Sequence, residues 1–521
     1  MNLKIEPRVY QKKIAETCIK SNCLVILPTG LGKTLIALMV SLERLNLFPE
    51  KKVLFLAPTK PLAEQHYNFF KFHLGDTFPM CLFTGKVKSE KRKELWEKNR
   101  IIFSTPQCTS NDLKKGNYDL KEVCLLVEDE AHRCIKNYDY TYIAKRYIKD
   151  SKNVRIIGLT ASPGSEISKI KEICENLGIE AIEIRTRESE DVKPYLKKLE
   201  VEIVNVELPK DFLEIRDLLK NILKSYVEDL KKRHLLFGPP TKTNLVKLQK
   251  KLFLLISTGN KNYNFLLGMK SCASALKIFH AIELLETQSL KGLNNYLKEL
   301  FRQAEKKENK AVISLVKKPE FNKVFIKTNE ILAKNLEHPK LGKIKEIVKK
   351  ELEKNKEVKI LIFTHFRETA NMISSELKKV PGVKSEIFIG QSKKQKHEKG
   401  LTQKEQKKII EEFTIKKINV LCATSVGEEG LDIPEVDVVI FYEPVPSAIR
   451  TIQRAGRTAR LKEGKLIILI TKKTRDEVNF YTSKSKEKKM LLAINNIKEK
   501  TSNKKIQKDK ETQRNLDFYI K

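Results

Sequence analysis

Short runs of apolar residues alternate with stretches of helical spacing in two separate parts of the chain. The first set of runs lies at 24–27, 53–56, 101–103, 123–127 and 155–159, and the second at 359–363, 385–389, 419–423, 436–442 and 465–470. Short, continuous runs are typical of parallel strands that helices cover on both faces. The pattern therefore predicts two α/β domains, each built on a parallel sheet.

The segment between these two parts has the spacing of helices. One apolar stripe runs through Phe212, Ile215, Leu219, Ile222, Tyr226 and Leu230, and a second through Leu245, Leu248, Leu252 and Leu255. Apolar residues three and four positions apart form one face of an amphipathic helix. We predict an all-helical domain at 206–336 between α/β domains at 1–205 and 337–482. The lysines between its stripes are either a nucleic-acid surface or a solvated helix face.

The last segment, 483–521, has few large apolar residues, and its basic residues outnumber its acidic ones. A segment of this composition buries too little apolar surface to offset the entropy lost when a chain becomes ordered. We therefore expect a basic, flexible tail.

Net charge narrows the class of partner. Lys and Arg total 102 against 66 Asp and Glu, a formal net charge of +36. A field of that sign attracts polyanions, so nucleic acid is the first partner to expect. The N-terminus lacks the apolar core of a signal peptide, and no uninterrupted apolar run approaches the roughly 18 residues that span a bilayer. We expect an intracellular protein, cytoplasmic and associated with the nucleoid, with no membrane partner.

The first predicted strand ends in a glycine-rich loop, Leu27-Pro28-Thr29-Gly30-Leu31-Gly32-Lys33-Thr34, and an apolar helix follows it. Glycines let backbone N–H groups surround a β-phosphate, and the helix N-terminus adds a positive dipole. Lys33 would reach the β- and γ-phosphate oxygens, and the Thr34 hydroxyl would ligate Mg²⁺. The loop departs from the strict G-x-x-x-x-G-K motif, which has glycine where this chain has Leu27. We predict that residues 28–34 bind ATP, with Mg²⁺ as cofactor.

A second apolar strand leads into three successive carboxylates, Glu128, Asp129 and Glu130, which Ala131 and His132 follow. A phosphate-binding loop needs such a partner, because phosphoryl transfer is catalysed by positioning and by charge neutralisation. We predict that Asp129 holds Mg²⁺ through water and that Glu130 orients and deprotonates the attacking water. His132 would sense the γ-phosphate.

Arginine is scarce in this chain, yet the positions 450, 454, 457 and 460 all carry it. A planar guanidinium group binds phosphate in bidentate fashion, which lysine cannot do. Within the segment Gln453-Arg454-Ala455-Gly456-Arg457-Thr458-Ala459-Arg460 we predict that Arg457 and Arg460 are arginine fingers and that Gln453 belongs to the same catalytic set. Fingers from the second α/β domain would require both domains to close on one ATP.

Together these segments resemble the superfamily 2 helicases, and in particular the Hef and FANCM families. The resemblance covers nearly all of residues 1–475 and is most specific at 390–391, 400–406, 423–432 and 441–447. It implies two RecA-like motor domains and an inserted helical domain that grips branched or duplex DNA. It also implies ATP-driven movement along one strand, 3′ to 5′, on stalled replication forks and Holliday junctions in DNA repair.

The resemblance implies roles for further residues. Around the nucleotide and its coupling to movement it places Arg8 and Gln11 (adenine), Gly430 and Asp432 (nucleotide), and Thr160, Ala161 and Ser162 (coupling). It also implies a set of residues whose hydroxyls and backbone amides would contact the phosphates of a DNA strand independently of sequence. They are Pro58, Thr59, Lys60, Thr84, Gly85, Thr105, Pro106, Thr364, His365, Thr424 and Ser425. Taken singly, each of these residues could equally be a helix cap.

The resemblance also bears on partners. Many Hef proteins continue into an XPF-like nuclease that this sequence lacks, so we expect no nuclease activity and a separate structure-specific nuclease as partner. The last residues resemble the peptide that docks on the PCNA sliding clamp, with anchors at Gln513, Leu516, Tyr519 and Ile520. A flexible tail suits coupled folding and binding, although a terminal amphipathic segment can match by chance.

Two other functions remain open from the sequence. An RNA-directed duplex motor of the RIG-like type shares the architecture and the helical insert, and an ATP-gated scaffold could bind DNA without unwinding it. A comparison of ATP hydrolysis with forked DNA and with duplex RNA distinguishes the RNA motor from a DNA helicase. A strand-displacement assay distinguishes the scaffold from a helicase. The remaining histidines, His66 among them, show no metal-binding or triad spacing, and we expect structural or surface roles for them.

Overall fold

The first α/β domain, which corresponds to the first motor domain that the resemblance implies, alternates helices and strands as the apolar pattern predicts. The structure, a computed structural model, describes residues 5–259, 262–390, 400–425, 433–458 and 463–519, and only the backbone of 448, 449 and 498–519. The elements of this domain are α1 (Val9–Lys20), β1 (Cys23–Ile26), α2 (Lys33–Leu47), β2 (Lys52–Leu56), α3 (Lys60–Leu74), β3 (Met80–Phe83), α4 (Ser89–Lys98), β4 (Ile101–Ser104), α5 (Pro106–Lys114), β5 (Val123–Asp129), α6 (Asp139–Asp150), β6 (Ile156–Thr160), α7 (Ile167–Asn176) and β7 (Ala181–Ile184).

These strands form one seven-stranded sheet in the order β3-β4-β2-β5-β6-β1-β7, and each neighbouring pair is parallel. Successive residues of a strand face opposite sides, so helices on both sides bury the whole strand. In β2, Val53 and Phe55 join one apolar cluster, while Leu54 and Leu56 join the cluster on the other face. Continuous apolar runs are therefore what this sheet requires.

The middle of the chain is a bundle of helices, α8 (Lys210–Lys232), α9 (Lys242–Ser257), α10 (Tyr263–Thr287), α11 (Leu290–Glu305), α12 (Lys310–Val316) and α13 (Pro319–Ala333). Among the described residues, α10 is the one helix long and apolar enough to pass for a membrane span. It is the central helix of this bundle, and it packs against α8, α9, α11 and α12. Lys270, Lys277 and Glu283 interrupt its apolar sequence.

The second motor domain has a six-stranded sheet. Its elements are β8 (Leu199–Val206), α14 (Pro339–Lys354), β9 (Ile360–Phe363), α15 (Arg367–Leu377), β10 (Ser385–Phe388), α16 (Gln403–Thr414), β11 (Val420–Ala423), β12 (Val438–Phe441), α17 (Ala448–Ala455), β13 (Gly464–Thr471) and α18 (Arg475–Tyr519). The strand order is β10-β11-β9-β12-β13-β8, again with parallel pairs. Two α/β domains with a helical domain between them confirm the predicted fold class.

The structure differs from the predicted domain boundaries at β8. This strand precedes the helical bundle, where the sequence predicts the end of the first domain, 1–205, but it pairs with β13 as the edge of the second sheet. Lys465 of β13 holds it from the side through an ion pair with Glu202. The one partner of this edge strand, β13, lies more than 250 residues away in the chain. The local sequence of β8 therefore does not show which sheet it joins.

The predicted flexible tail also differs from the structure, because α18 is one continuous helix through residue 519. It begins in the second motor domain and reaches the first, where Met490, Ala493, Ile494 and Ile497 join the apolar cluster of that domain. These few apolar residues are enough to anchor the helix because they lie at helical spacing on one face.

Candidate active site and nucleic-acid interface

The glycine-rich loop has the backbone shape of a phosphate-binding loop. Gly30 and Gly32 have φ angles of +82° and +81°, a region that favours glycine. At Gly32 a Cβ atom would also lie 2.2 Å from the side-chain amide nitrogen of Gln11. Lys33 begins α2, and its ammonium group donates to the carbonyl of Leu27 at 2.9 Å, so it lies across the loop.

The segment predicted to recognise adenine lies directly beside this loop. The Gln11 side chain donates to the carbonyl of Leu31 at 3.1 Å, and the Tyr10 hydroxyl donates to the same carbonyl at 2.8 Å. The Arg8 guanidinium lies 5.0 Å from the ring centroid of Tyr195. Gln11 thus supports the loop, and the roles of Arg8 and Gln11 toward adenine stay predictions.

The predicted catalytic carboxylates stand where β5 ends. Glu130 has a φ of +52°, a strained conformation for a residue other than glycine, and it turns the chain out of the strand. Its carboxylate lies 3.2 Å from Nδ1 of His132. Burial raises the pKa of Asp129, but His66 and Lys33 outweigh burial and the pKa is lowered overall. Asp129 is therefore ionised at neutral pH although it is buried.

A short chain of contacts joins the carboxylates to the predicted coupling segment. Nδ1 of His132 lies 3.2 Å from the Thr160 hydroxyl. That hydroxyl exchanges hydrogen bonds with the backbone of Ser162, both at 3.1 Å. Ala161, between them, is buried. The structure brings Glu130, His132 and residues 160–162 together, as coupling would require.

Glu128 does not belong to this group. Neither of its carboxyl oxygens has a hydrogen-bond partner among the described residues. Burial raises its pKa to about 8, and the Cys134 thiol opposes that shift. With a pKa above 7, the Glu128 carboxyl is neutral at pH 7. Neighbouring residues of a strand point to opposite faces, so Glu128 faces away from Asp129.

Two oxygen ligands are available for Mg²⁺. The Thr34 hydroxyl and the Asp129 carboxylate both contact the ring of His66, at 3.2 Å and 2.9 Å. In the part of the chain that the structure describes, no cluster of three His, Cys, Asp or Glu residues could hold a metal. Mg²⁺ in nucleotide sites typically takes one or two protein oxygens together with substrate phosphates and water. Thr34 and Asp129 fit that requirement.

The arginine segment of the second motor domain lies against the glycine-rich loop. The Thr29 hydroxyl donates to the carbonyl of Gly456 at 3.3 Å. Gln453 and Arg457, on either side of that contact in sequence, are buried. A cavity of about 380 Å³ opens beside it, lined by Pro28, Thr29, Ala455 and Gly456 among others.

Three of the predicted nucleotide-site residues, Gly430, Asp432 and Arg460, lie outside the described residues. In the clamp peptide Ile520 also lies outside them, and Gln513, Leu516 and Tyr519 belong to the helical backbone of α18. Their assigned roles stay predictions.

The predicted strand contacts follow the carboxyl ends of β2, β3, β4, β9 and β11. These strands occupy one half of each sheet, whereas the glycine-rich loop and α17 follow strands outside that half and Asp129 ends the central strand β5. In three pairs the first residue is buried and the second is exposed: Thr84 and Gly85, Thr364 and His365, Thr424 and Ser425. Thr59 and Thr105 precede the first turns of α3 and α5, where backbone N–H groups attract phosphate.

Sequence reasoning missed Glu443, which follows β12. It accepts hydrogen bonds from the Thr364 hydroxyl at 3.3 Å and from the backbone N–H of His365. Burial raises its pKa to about 7, with Lys340 and Arg454 opposing that shift. A carboxylate directly after a buried strand is the signal that identified residues 128–130, and the same signal could have found Glu443.

Models of three protein families match successive parts of the chain. The DEAD/DEAH box helicase family matches residues 8–170, the helicase conserved C-terminal domain matches 340–462, and the helical bundle described as that of a putative ATP-dependent RNA helicase matches 211–337. The helicase domain of Pyrococcus furiosus Hef is a similar solved structure, with 43% identity and a TM-score of 0.70. That comparison covers 92% of this chain and 98% of the other.

Two curated relatives are longer proteins. A putative ATP-dependent RNA helicase of Methanocaldococcus jannaschii is 42% identical over 95% of this chain and 61% of its own length. The ATP-dependent DNA helicase mph1 of Neurospora crassa is 34% identical over 91% of this chain and 42% of its own length. The chain thus spans less than two thirds of either relative.

Proposed function

Because the chain belongs to the Hef family of DEAD/DEAH box helicases, we propose that it is an ATP-dependent DNA helicase or translocase. Its substrates are branched DNAs such as stalled replication forks and Holliday junctions, and it moves 3′ to 5′ along one strand. The contact between Thr29 and Gly456 is the observation that carries this proposal. It joins the phosphate-binding loop of one motor domain to the arginine segment of the other, so one ATP can be gripped by both.

Each side chain of the site has a role in this proposal. Backbone N–H groups of residues 30–34 hold the phosphates, and Lys33 leaves the carbonyl of Leu27 to reach the phosphate oxygens. Glu130 orients the attacking water and takes its proton. Because Glu130 contacts His132 and His132 contacts Thr160, the change of charge at Glu130 on hydrolysis reaches the coupling segment. Thr34 and, through water, Asp129 would hold Mg²⁺, which would neutralise phosphate charge when bound.

The test uses Lys33→Ala and Glu130→Gln in the full chain. Both variants should lose DNA-stimulated ATP hydrolysis while DNA binding stays within about threefold, because neither side chain belongs to the predicted strand-contacting set. Glu128→Gln is the matched control, since it makes the same change at a buried carboxyl group two residues away that has no predicted role in hydrolysis. Normal turnover in Lys33→Ala or Glu130→Gln would refute the assignment.

An RNA-directed duplex motor is the second candidate. The name of the Methanocaldococcus jannaschii relative and the description of the helical-bundle family favour it. ATP turnover measured with forked DNA and with duplex RNA of equal length decides between the two candidates. Stronger stimulation by the RNA duplex would replace the DNA assignment.

We further propose that residues 513–520 bind the PCNA sliding clamp and that the chain cooperates with a separate structure-specific nuclease at the nucleoid. The spacing of Gln513, Leu516, Tyr519 and Ile520 supports the clamp proposal. Replacing Leu516 and Tyr519 by Ala should abolish clamp binding in a calorimetric titration, with Leu492→Ala as a control on the same helix. Unchanged affinity would contradict it.

A further inference from the structure

His66 connects both candidate magnesium ligands, and this relationship rests on three-dimensional placement alone. Its Nδ1 lies 3.2 Å from the Thr34 hydroxyl, and its Nε2 lies 2.9 Å from the Asp129 carboxylate. Thr34 lies in the first turn of α2 and Asp129 ends β5, and a third element, α3, carries the ring that contacts both. Nothing in the spacing of His66 within the sequence indicates this role.

The hydrogen bonds of the ring leave both ligands able to bind a metal. In the tautomer with hydrogen on Nε2, the ring donates to Asp129 and Nδ1 accepts from the Thr34 O–H. A hydroxyl that donates still has its oxygen lone pairs, and a carboxylate has about four acceptor positions. His66 can therefore hold both ligands before and after Mg²⁺ binds.

The ring itself is fixed by packing. His66 is buried, and its ring centroid lies 4.5 Å from that of Phe55 in β2. Phe55 in turn stacks on Phe103 of β4 at 5.3 Å. A side chain held on one face by aromatic rings and at both nitrogens by polar partners has little freedom to turn. Partners of this kind orient metal ligands, and their loss typically costs 10- to 100-fold in metal affinity or activity.

His66 also stands at the boundary between the two halves of the first sheet. Its helix α3 follows β2 and begins at Lys60, directly after Pro58 and Thr59, and all three residues are predicted to contact the DNA strand. The neighbouring strand β5 carries Asp129. Any shift of α3 that DNA binding caused would move the ring that contacts Thr34 and Asp129.

We propose that His66 is a positioning residue that orients the magnesium ligands Thr34 and Asp129 and links them to the DNA-contacting start of α3. The inference rests on the proposed function, because it deepens how that function couples DNA binding to ATP hydrolysis. The main alternative is a purely structural role for His66, in which the buried ring only fills space beside Phe55.

The test compares three variants of the full chain. His66→Phe keeps an aromatic ring next to Phe55 and removes both hydrogen-bonding nitrogens. His66→Gln keeps an N–H donor and an oxygen acceptor. His73→Phe is the matched control, because His73 is a buried histidine of the same helix that packs on Phe69 and Phe72.

The first measurement is equilibrium binding of a fluorescent ADP analogue at increasing Mg²⁺ without DNA. We expect the half-saturating Mg²⁺ concentration to rise at least tenfold in His66→Phe and to stay within about threefold of wild type in His66→Gln and His73→Phe. A shift below twofold in His66→Phe would overturn the inference. An equal shift in His73→Phe, or a Gln variant as impaired as the Phe variant, would assign the effect to helix packing and overturn it too.

The second measurement is the ratio of ATP turnover with and without single-stranded DNA at saturating Mg²⁺. We expect that ratio to fall at least fivefold in His66→Phe and to be unchanged in His73→Phe. If wild type shows no stimulation by DNA, the proposed function fails, while the Mg²⁺ titration still decides the role of His66.

A third measurement on wild type covers the case in which His66→Phe does not fold. With ¹⁵N-labelled histidine, the ring signals absent from His66→Gln belong to His66. Hydrogen on Nε2 with an unprotonated Nδ1, and movement of both signals when Mg²⁺ and ADP are added, are expected. Signals that stay unchanged on that addition would overturn the inference.

Discussion

The Thr29 hydroxyl donates a hydrogen bond to the carbonyl of Gly456 at 3.3 Å, although 427 residues separate them. The two motor domains touch at this point with no room for a larger residue. A Cβ atom on Gly456 would lie 1.6 Å from the Thr29 hydroxyl oxygen and 3.0 Å from its Cβ. Gly456 thus permits the phosphate-binding loop and the arginine segment to meet.

We predict that Gly456→Ala uncouples the domains. The added methyl group must push the arginine segment away from the loop, so ATP turnover should fall at least tenfold while binding of a fluorescent ATP analogue changes less than threefold. The matched control is Gly342→Ala in α14, where an added Cβ meets nothing within 4 Å among the described residues. Wild-type turnover in Gly456→Ala would show that this contact is dispensable.

Arg454 should be structural, in contrast to Arg457. Its guanidinium is fully buried between the rings of Phe363 and Phe441, at 5.0 and 5.7 Å from their centroids. Arg454→Ala should lower the free energy of unfolding by on the order of 3 kcal/mol, because it removes packing against both rings and leaves Lys340 as the one positive charge acting on the buried carboxyl of Glu443 among the described residues. Denaturant unfolding of the variant measures this.

Arg457→Ala should instead leave the midpoint of unfolding nearly unchanged and reduce turnover by about 10³-fold. Arg450→Ala, on the same helix as Arg454, serves as the control for the loss of a positive charge. An Arg454→Ala variant with the same free energy of unfolding as wild type would contradict the structural role of Arg454.

Glu128 should make stability depend on pH. Its folded pKa of about 8 lies above the value near 4.3 expected in an unfolded chain. The folded state therefore holds a proton that the unfolded state has lost, and this contribution, complete below pH 4, is lost as pH rises to 8, at roughly 1.4 kcal/mol per unit.

Glu128→Gln keeps a neutral side chain at every pH. The variant should melt at a higher temperature than wild type at pH 8, and this difference in melting temperature should disappear by pH 5. Calorimetric scans at the two pH values measure it, with Glu122→Gln on the exposed end of the preceding loop as control. A gap that is the same at both values would contradict a neutral Glu128.

The helix α18 should report on the coupling between the domains. The Ser162 hydroxyl donates to the sulfur of Met490 at 2.8 Å, and Ile494 is buried in the first motor domain. Ile494→Asp places a charge in that cluster, so the helix should detach beyond residue 485 and its amides should exchange at least tenfold faster. Leu492→Asp, on the exposed face, is the control. Unchanged exchange in Ile494→Asp would show that the packing is weak.

The sequence predicts much of the fold and of the nucleotide site because these depend on local rules. Each strand that helices cover on both faces reads as one apolar run, as 123–127 does. Gly30 and Gly32 are recognisable because their positive φ angles exclude most other residues. Asp129 and Glu130 are recognisable because they follow a buried strand directly.

What the sequence does not predict depends on partners distant in the chain. The strand β8 reads as part of the first domain, and the last helix reads as a flexible tail, since the surfaces that bury them come from other domains. Glu443 follows an apolar run in the sequence, but its partners Thr364 and His365 reach it only through folding. His66 shows no motif at all.

The sequence by itself determined that this chain holds a glycine-rich loop, an acidic strand end and an arginine segment, because each is a run of neighbouring residues with its own chemistry. The tertiary structure alone decided that these runs meet, that Thr29 faces Gly456, and that His66 lies between Thr34 and Asp129. The physical reason is that a side chain's contacts across space follow from how whole elements pack, which spacing along the chain does not record.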